Sequence, residues 1–297
     1  MISSVVLNVF YFSIVLGLSS GVGLVTFNLF SKNKKYNLKH KCNYLKKRNE
    51  YKHKRELEEY NKEIKNYADY IRKEISRMNV TRADLNPDEP NGCCYCLVED
   101  DGERTFICEH GAEYRFKKEW CDALDPDDFD CAYICGLEME EETGDIVISF
   151  LREKNIPVYF APGPRINEIE KEKMERLLAL KPILHVNETE ALSFTGKKTI
   201  REAAESLMAI TDNTVIVTNG EKGSCCLCRD DGKWYEEPAF KVDVVDTIGA
   251  GDAHIGTFIA QRQLGKGISE SLREANKISS MIVSSEGARL DKANKRA

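Results

Sequence analysis

Positive charge is in deficit in this chain: 43 Lys and Arg stand against 49 Asp and Glu, a net charge of −6. That balance argues against a general nucleic-acid binder. A disulfide framework is missing too, because the eleven cysteines are odd in number and scattered through strand-like runs of a long chain. They read as thiols of a reducing compartment. Zinc spacing is absent: CCYC (93–96) and CCLC (225–228) lack the usual two-residue spacer, and neighbouring strand residues point to opposite faces. Both clusters are therefore expected to be small apolar strand residues. No P-loop exists, since Ala191 stands where its first glycine would precede Gly196-Lys197, and Lys198 replaces the required Ser or Thr. Residues 1–31 carry no charged side chain, and no basic segment precedes this apolar run. A cleavable signal peptide fits it poorly for that reason.

What is present begins with that run. Residues 4–30 suffice for a membrane-spanning helix, which takes about 20 residues. Lys32, Lys34, Lys35, Lys39 and Lys41 follow at once, so the positive-inside rule places the remainder in the cytoplasm. A pair of buried strands around Gly17–Gly23 is the alternative. Residues 32–66 read as a basic helical spacer. The stretch Tyr44–Met78 holds neither Gly nor Pro, and from Tyr67 its apolar spacing suits packing on a domain. Charge then reverses, from basic over Lys32–Arg77 to acidic over Asp84–Asp145, with a break at Asn86–Gly92.

Beyond the break, strand and helix alternate. CCYCLVE and RTFICE flank Asp100-Asp101-Gly102, predicting a β-hairpin. CAYICG, IPVYFAP, PILHVN and NTVIVTNG read as strands, with VDVVD closing a further strand-like segment. Helices are expected over Glu141–Lys154, Asn167–Leu180, Glu188–Thr195 and Ile200–Ile210. This rhythm predicts an α/β fold with a mostly parallel sheet flanked by helices. Ligands in such sheets bind at the carboxyl ends of the strands.

Three motifs fall at those ends. In DTIGAGDAHIGTF (246–258), Gly249, Ala250 and Gly251 offer backbone amides at a helix amino terminus, an anion site by geometry and by dipole. Asp252 shares that pocket, which suits a carboxylate taking a proton from a hydroxyl that attacks a phosphate. The bland alternative is a glycine turn with an ordinary first-turn aspartate. In HVNETEAL, Asn187 and Glu190 leave a strand and enter a helix. Glu190 could hold Mg²⁺ through water, or the pair could be a capping box. In VIVTNGEKGS, Thr218, Gly220 and Gly223 form a loop whose backbone can approach a nucleotide.

In chain order, NETE, TNGEKGS and DTIGAGD resemble the motifs of the ribokinase-like, or PfkB-type, carbohydrate kinases over about residues 67–290. The resemblance implies a ribokinase-like sheet with a small β lid, here the hairpin at about 91–112, and a kinase domain over 67–297. It implies ATP with Mg²⁺ and phosphorylation of a sugar or nucleoside hydroxyl. It further implies Asp252 as base and the Gly249, Ala250 and Gly251 amides as anion hole, with Glu190 and Asn187 organising Mg²⁺. Thr218, Gly220, Gly223 and Asn276 would line the nucleotide site. Asp246 and Thr247 would bind a monovalent cation such as K⁺, with later ligands from SSEGA (284–288). Lid strands that pair between subunits would make a homodimer.

The sequence also departs from the family pattern. His254 stands where phenylalanine is usual and is expected to pack; His185 is expected at a strand end and His110 near the lid. Asn91 replaces a threonine common before the lid glycine. Residues 1–66 hold no Gly-Gly-x-x-x-Asn segment and no acid after a first strand, so the sugar half of the site is missing or replaced. A non-catalytic nucleotide-binding remnant is therefore the rival to an active kinase.

Overall fold

The structure, a computed structural model, describes residues 92–98, 104–285 and 287. The expectations for the apolar run, the membrane anchor, the basic spacer, the N-terminal helix and Asn91 lie outside these residues. Among the described residues no helix is long and apolar enough to cross a membrane. The chain divides into two units, with the hairpin through Ala112 in one and the chain from Glu113 onward in the other.

The hairpin unit pairs β1 (Cys93–Val98) antiparallel with β2 (Arg104–Glu109). Its register sets Cys94 opposite Cys108 and Tyr95 opposite Ile107.

The larger unit is built on a six-stranded sheet in the order β3-β4-β5-β6-β7-β8. Strands β3 (Ala132–Cys135), β4 (Val158–Ala161), β5 (Ile183–Asn187) and β6 (Val215–Thr218) run parallel. β7 (Ser224–Leu227) and β8 (Trp234–Glu237) return antiparallel. The parallel strands are apolar on both faces because helices cover both faces, as such sheets require.

Strand alternation divides the core in two. Ile134, Phe160, Leu184, Val186, Val215, Val217, Cys225 and Leu227 face one layer, and Tyr133, Tyr159, Ile216 and Cys226 face the other. The first face is covered by α3 (Gly144–Lys154), α4 (Lys171–Leu178) and α6 (Ile200–Thr211), through residues such as Leu151, Leu177 and Leu207. The second is covered by α7 (Ala250–Gln263) and α8 (Ile268–Val283), through Ile255, Phe258 and Leu272. The short helices α1 (Lys118–Asp122) and α2 (Gly136–Glu140), and α5 (Glu188–Thr195), complete the unit. Cys225 and Cys226 thus point to opposite layers, and burial raises the Cys225 thiol to about 12. Among the described residues no three or more His, Cys, Asp or Glu side chains cluster so as to hold a metal ion by themselves.

Three boundaries differ from the sequence reading. The helix expected from Glu141 starts at Gly144, because Glu141 is extended after the separate short helix α2. Glycine permits close approach here: a Cβ on Gly136 would sit 2.0 Å from Pro162 O, and one on Gly144 would sit 2.6 Å from Glu138 O. The helix expected from Asn167 starts at Lys171, because Pro162-Gly163-Pro164 leads into a 3₁₀ turn and Glu170 is extended. Finally, VDVVD is not a strand. The sheet ends at β8, and Val244 and Val245 are 65% and 62% exposed. The amides of Val245 and Asp246 instead both donate to Val283 O.

Candidate active site

Two of the predicted residues stand at carboxyl ends of parallel strands. Asn187 closes β5 and Thr218 closes β6, and the two are register partners. Asn187 caps α5: its Oδ1 accepts from Glu190 N at 2.8 Å. Asn187 N donates to Glu190 Oε2 at 3.0 Å and Asn187 Nδ2 to Oε1 at 2.7 Å. The pair is therefore a reciprocal capping box. Burial raises the Glu190 carboxyl above the ordinary value, although Asn187 N opposes this.

β3 repeats the device. Cys135 ends the strand, and its amide donates to Glu138 Oε2 at 3.1 Å. Glu138 is 1% exposed. Burial lifts its carboxyl to about 7, and the charge of Asp252 adds to the rise. Two parallel strands thus each end on a helix whose third residue is a glutamate. Sequence reasoning identified Glu190 and missed Glu138. The available signal was the acid three residues after a strand end, Cys135-Gly-Leu-Glu138.

At the opening of α7, Gly249 is left-handed at φ 80°, a conformation glycine adopts without penalty. The first intrahelical bond is Ala253 N to Gly249 O at 2.9 Å, and Ala250 N makes only a long 3.4 Å bond to Thr247 O. The amides of Ala250, Gly251 and Asp252 precede the regular ladder, where helix donors lack internal partners. A Cβ on Gly251 would meet nothing within 4 Å, so the space over these amides is open. Asp252 reaches solvent from this turn. Protein crowds it on the remaining sides, and the partial loss of water raises its carboxyl above the ordinary value. Its charge also reaches Tyr133 and Cys135, both raised mainly by burial. Asp252 is therefore near enough to the end of β3 for its charge to be felt there and at Glu138.

The flanking loops are fixed by their own polar groups. Asp246 is buried; its Oδ1 accepts from Ile248 N at 3.0 Å and its Oδ2 from Gly287 N at 3.2 Å. Asp246 is so tied to Gly287. The two loop glycines differ in kind. Gly220 faces open space, whereas a Cβ on Gly223 would strike Glu237 O at 2.1 Å.

Asn276 sits in a buried network. Its Nδ2 donates to Glu237 O at 2.9 Å and Pro238 O at 3.2 Å. Its Oδ1 accepts from Ser224 Oγ at 2.9 Å and lies 3.2 Å from His254 Nε2. Because that oxygen can only accept, His254 Nε2 carries the proton, and His254 Nδ1 accepts in turn from His185 Nε2 at 3.0 Å. Every hydrogen-bonding position of the Asn276 amide is engaged. Asn276 thus shapes the backbone at residues 237–238, and His254 is a polar link as well as a packed one. His185 lies within β5, 6% exposed. Five elements, β5, β7, β8, α7 and α8, contribute to this network, so no local motif announced it.

A magnesium ion fits these residues on chemical grounds. Each Glu190 oxygen holds one amide donor and keeps a further lone pair, and Mg²⁺ commonly takes one or two carboxylates with the rest of its shell from water and phosphate.

The wider likenesses agree with this geometry. The model of the pfkB family carbohydrate kinases matches residues 64–295. The uncharacterized sugar kinase YegV of Escherichia coli is 28% identical over 232 residues, 74% of this chain and 70% of that protein. A deoxyribokinase of Salmonella typhi is 33% identical over 187 residues, 61% of this chain and 59% of its own length. The chain thus spans well over half of each, and less than two thirds of the second. In fold, it aligns with a ribokinase II described as putative, from E. coli in complex with ATP and Mg²⁺. The TM-score there is 0.63 at 21% identity, covering 75% of each chain. The family match runs through the whole larger unit and includes the Gly249–Asp252 turn, β5 with its capping box, and α8; the chain belongs to the pfkB family of carbohydrate kinases.

Proposed function

We propose that this kinase transfers the terminal phosphoryl group of ATP to a hydroxyl of a sugar or sugar-like small molecule, with Asp252 as the base. The observation that carries this reading is Asp252 in the first turn of α7, beside amides that precede the helix ladder and under open space at Gly251. A helix amino terminus there attracts the anionic phosphoryl group. The raised Asp252 carboxyl makes it a better proton acceptor than an ordinary aspartate. As the acceptor oxygen forms its bond to phosphorus, its proton passes to Asp252 and ADP departs. The Ala250 and Gly251 amides hold the transferring group during that step.

Glu138 supplies the acceptor side. Its carboxyl lies just past the end of β3, within the electrostatic reach of Asp252, where a hydroxyl of an acceptor bound beside Asp252 would meet it. Thr218 and the open Gly220 backbone flank the nucleotide, while Asn276 and Gly223 keep the 237–238 backbone in place. Bound Mg²⁺ would neutralise phosphate charge, and Glu190 is the carboxylate that would orient it. Asp246 frames the loop in which a monovalent cation would lie.

The test is ADP release with a panel of pentoses, hexoses and nucleosides, with product identified by mass spectrometry. Asp252→Asn should lower turnover about 10²–10⁴-fold with nucleotide affinity kept. Turnover that survives this change removes Asp252 as base, and nucleotide binding without transfer to any acceptor favours the remnant.

A further inference from the structure

The hairpin unit holds a pair of opposed thiols that the phosphoryl-transfer reading does not use. The register of β1 and β2 sets Cys94 directly opposite Cys108, whereas Cys93 is opposite Glu109 and Cys96 opposite Phe106. One cross-strand position in this hairpin therefore pairs thiol with thiol. Cys94 Sγ lies 3.1 Å from Cys108 Sγ, with Cys108 exposed and Cys94 half-buried. Directly opposed residues of an antiparallel pair have Cα atoms about 4.5–5.5 Å apart, inside the roughly 4.4–6.8 Å that disulfides span. Closing the sulfurs to a bond of about 2.05 Å thus needs side-chain rotation and no change of strand pairing.

We propose that Cys94 and Cys108 are a site of reversible disulfide formation, oxidised by exchange with a low-molecular-weight disulfide such as glutathione disulfide. The exposed Cys108 loses its proton and its thiolate attacks one sulfur of the small disulfide, releasing one thiolate and leaving a mixed disulfide on Cys108. Cys94, deprotonated in turn, attacks the Cys108 sulfur, the mixed bond breaks, and the second small thiolate leaves. The protein gives up two electrons and two protons, and the small disulfide becomes two thiols. A small thiol at high concentration reverses both steps. The product is a covalent rung across the hairpin that fixes β1 on β2. The inference is independent of phosphoryl transfer, and its test needs no turnover.

Trypsin cuts the chain between Arg104 and Thr105, so Cys94 falls in the peptide 83–104 and Cys108 in 105–115. The reduced full-length protein is exposed to glutathione disulfide, remaining thiols are alkylated, and the digest is sequenced by mass spectrometry without reduction. The expected result is the two peptides joined through Cys94 and Cys108, two hydrogens lighter than their sum and separated by dithiothreitol. In Cys94→Ser the link disappears and Cys108 retains glutathione. Glutathione adducts alone in the wild-type protein, a link through Cys93 or Cys96, or a link that persists in Cys94→Ser would each overturn the proposal.

Discussion

His185 Nε2 lies 3.0 Å from His254 Nδ1 in the core of the larger unit, tying the strand that carries Asn187 to the helix that carries Asp252. Both rings are neutral. Burial pushes His254 down to about 4, despite Asn276 favouring its proton, and pushes His185 well below the ordinary value.

Stability should therefore fall on mild acidification. In the unfolded chain both histidines titrate near the ordinary 6.5. As pH falls below that, the unfolded state binds protons that the folded state refuses. Their contribution is complete above about 6.5 and is lost as pH falls toward 4. For His254 alone the loss at pH 5 is about 2 kcal/mol. Urea midpoints measured at several pH values should show this slope, and the double variant His185→Leu/His254→Phe should flatten it.

The single variant His254→Phe should be worse than the double. It leaves His185 Nε2–H and one lone pair of Asn276 Oδ1 without their present partner, and an unmet buried polar group costs about 1–3 kcal/mol. Adding His185→Leu to His254→Phe removes one of the two orphans. A double-mutant cycle on unfolding free energies should give a coupling of at least about 1 kcal/mol. A coupling near zero would mean the two rings do not interact.

Glu138 has the opposite pH sign. Its folded value, about 7, stands above the ordinary 4.5, chiefly through burial. The folded state holds the proton more tightly, so its contribution is intact below about 4.5 and is lost as pH rises through 7. Glu138→Gln should accordingly leave the thermal midpoint unchanged near pH 4 and raise it near pH 8. The same variant should raise the KM for the acceptor more than that for ATP if, as proposed, the Glu138 carboxyl serves the acceptor.

These residues also mark how far the sequence alone could be read. Strands β3 to β6 were legible because each is a short apolar run closed by Gly, Pro or Asn, and α5 because Asn187 and Glu190 cap it. Glu138 was not, because it lies in a run of four glutamates between residues 138 and 142. Only its place in the first turn of α2 turns it inward. VDVVD has the alternation of a strand, yet strands need a neighbour, and the sheet provides none beyond β8. The roles of His185 and His254 depend on contacts 69 residues apart, which no periodicity encodes.

Glu190→Gln should separate capping from metal binding. Glutamine's one oxygen can still accept from the Asn187 backbone amide, so the capping box survives. The bond from Asn187 Nδ2 is lost, and stability should fall by about 1 kcal/mol. The negative charge is gone, however, and the Mg²⁺ concentration giving half-maximal turnover should rise several-fold. A fall in stability with unchanged Mg²⁺ dependence would restrict Glu190 to capping.

Substituting three glycines with alanine gives the sharpest contrast between folding and chemistry. At Gly223 the added methyl would strike Glu237 O at 2.1 Å, and φ is +103°; this variant should fold poorly. At Gly220 the space is open but φ is +51°, so the cost is the left-handed penalty of about 1–2 kcal/mol. At Gly251 the backbone is helical and nothing lies within 4 Å. Alanine there should leave the protein as stable as before or up to about 1 kcal/mol more so. Its methyl would nevertheless occupy the open space above the α7 amides, where the proposed reaction puts the phosphoryl group. Turnover should fall at least tenfold while the thermal midpoint holds or rises. A Gly251→Ala protein with full activity would mean the phosphoryl group does not pass over this turn.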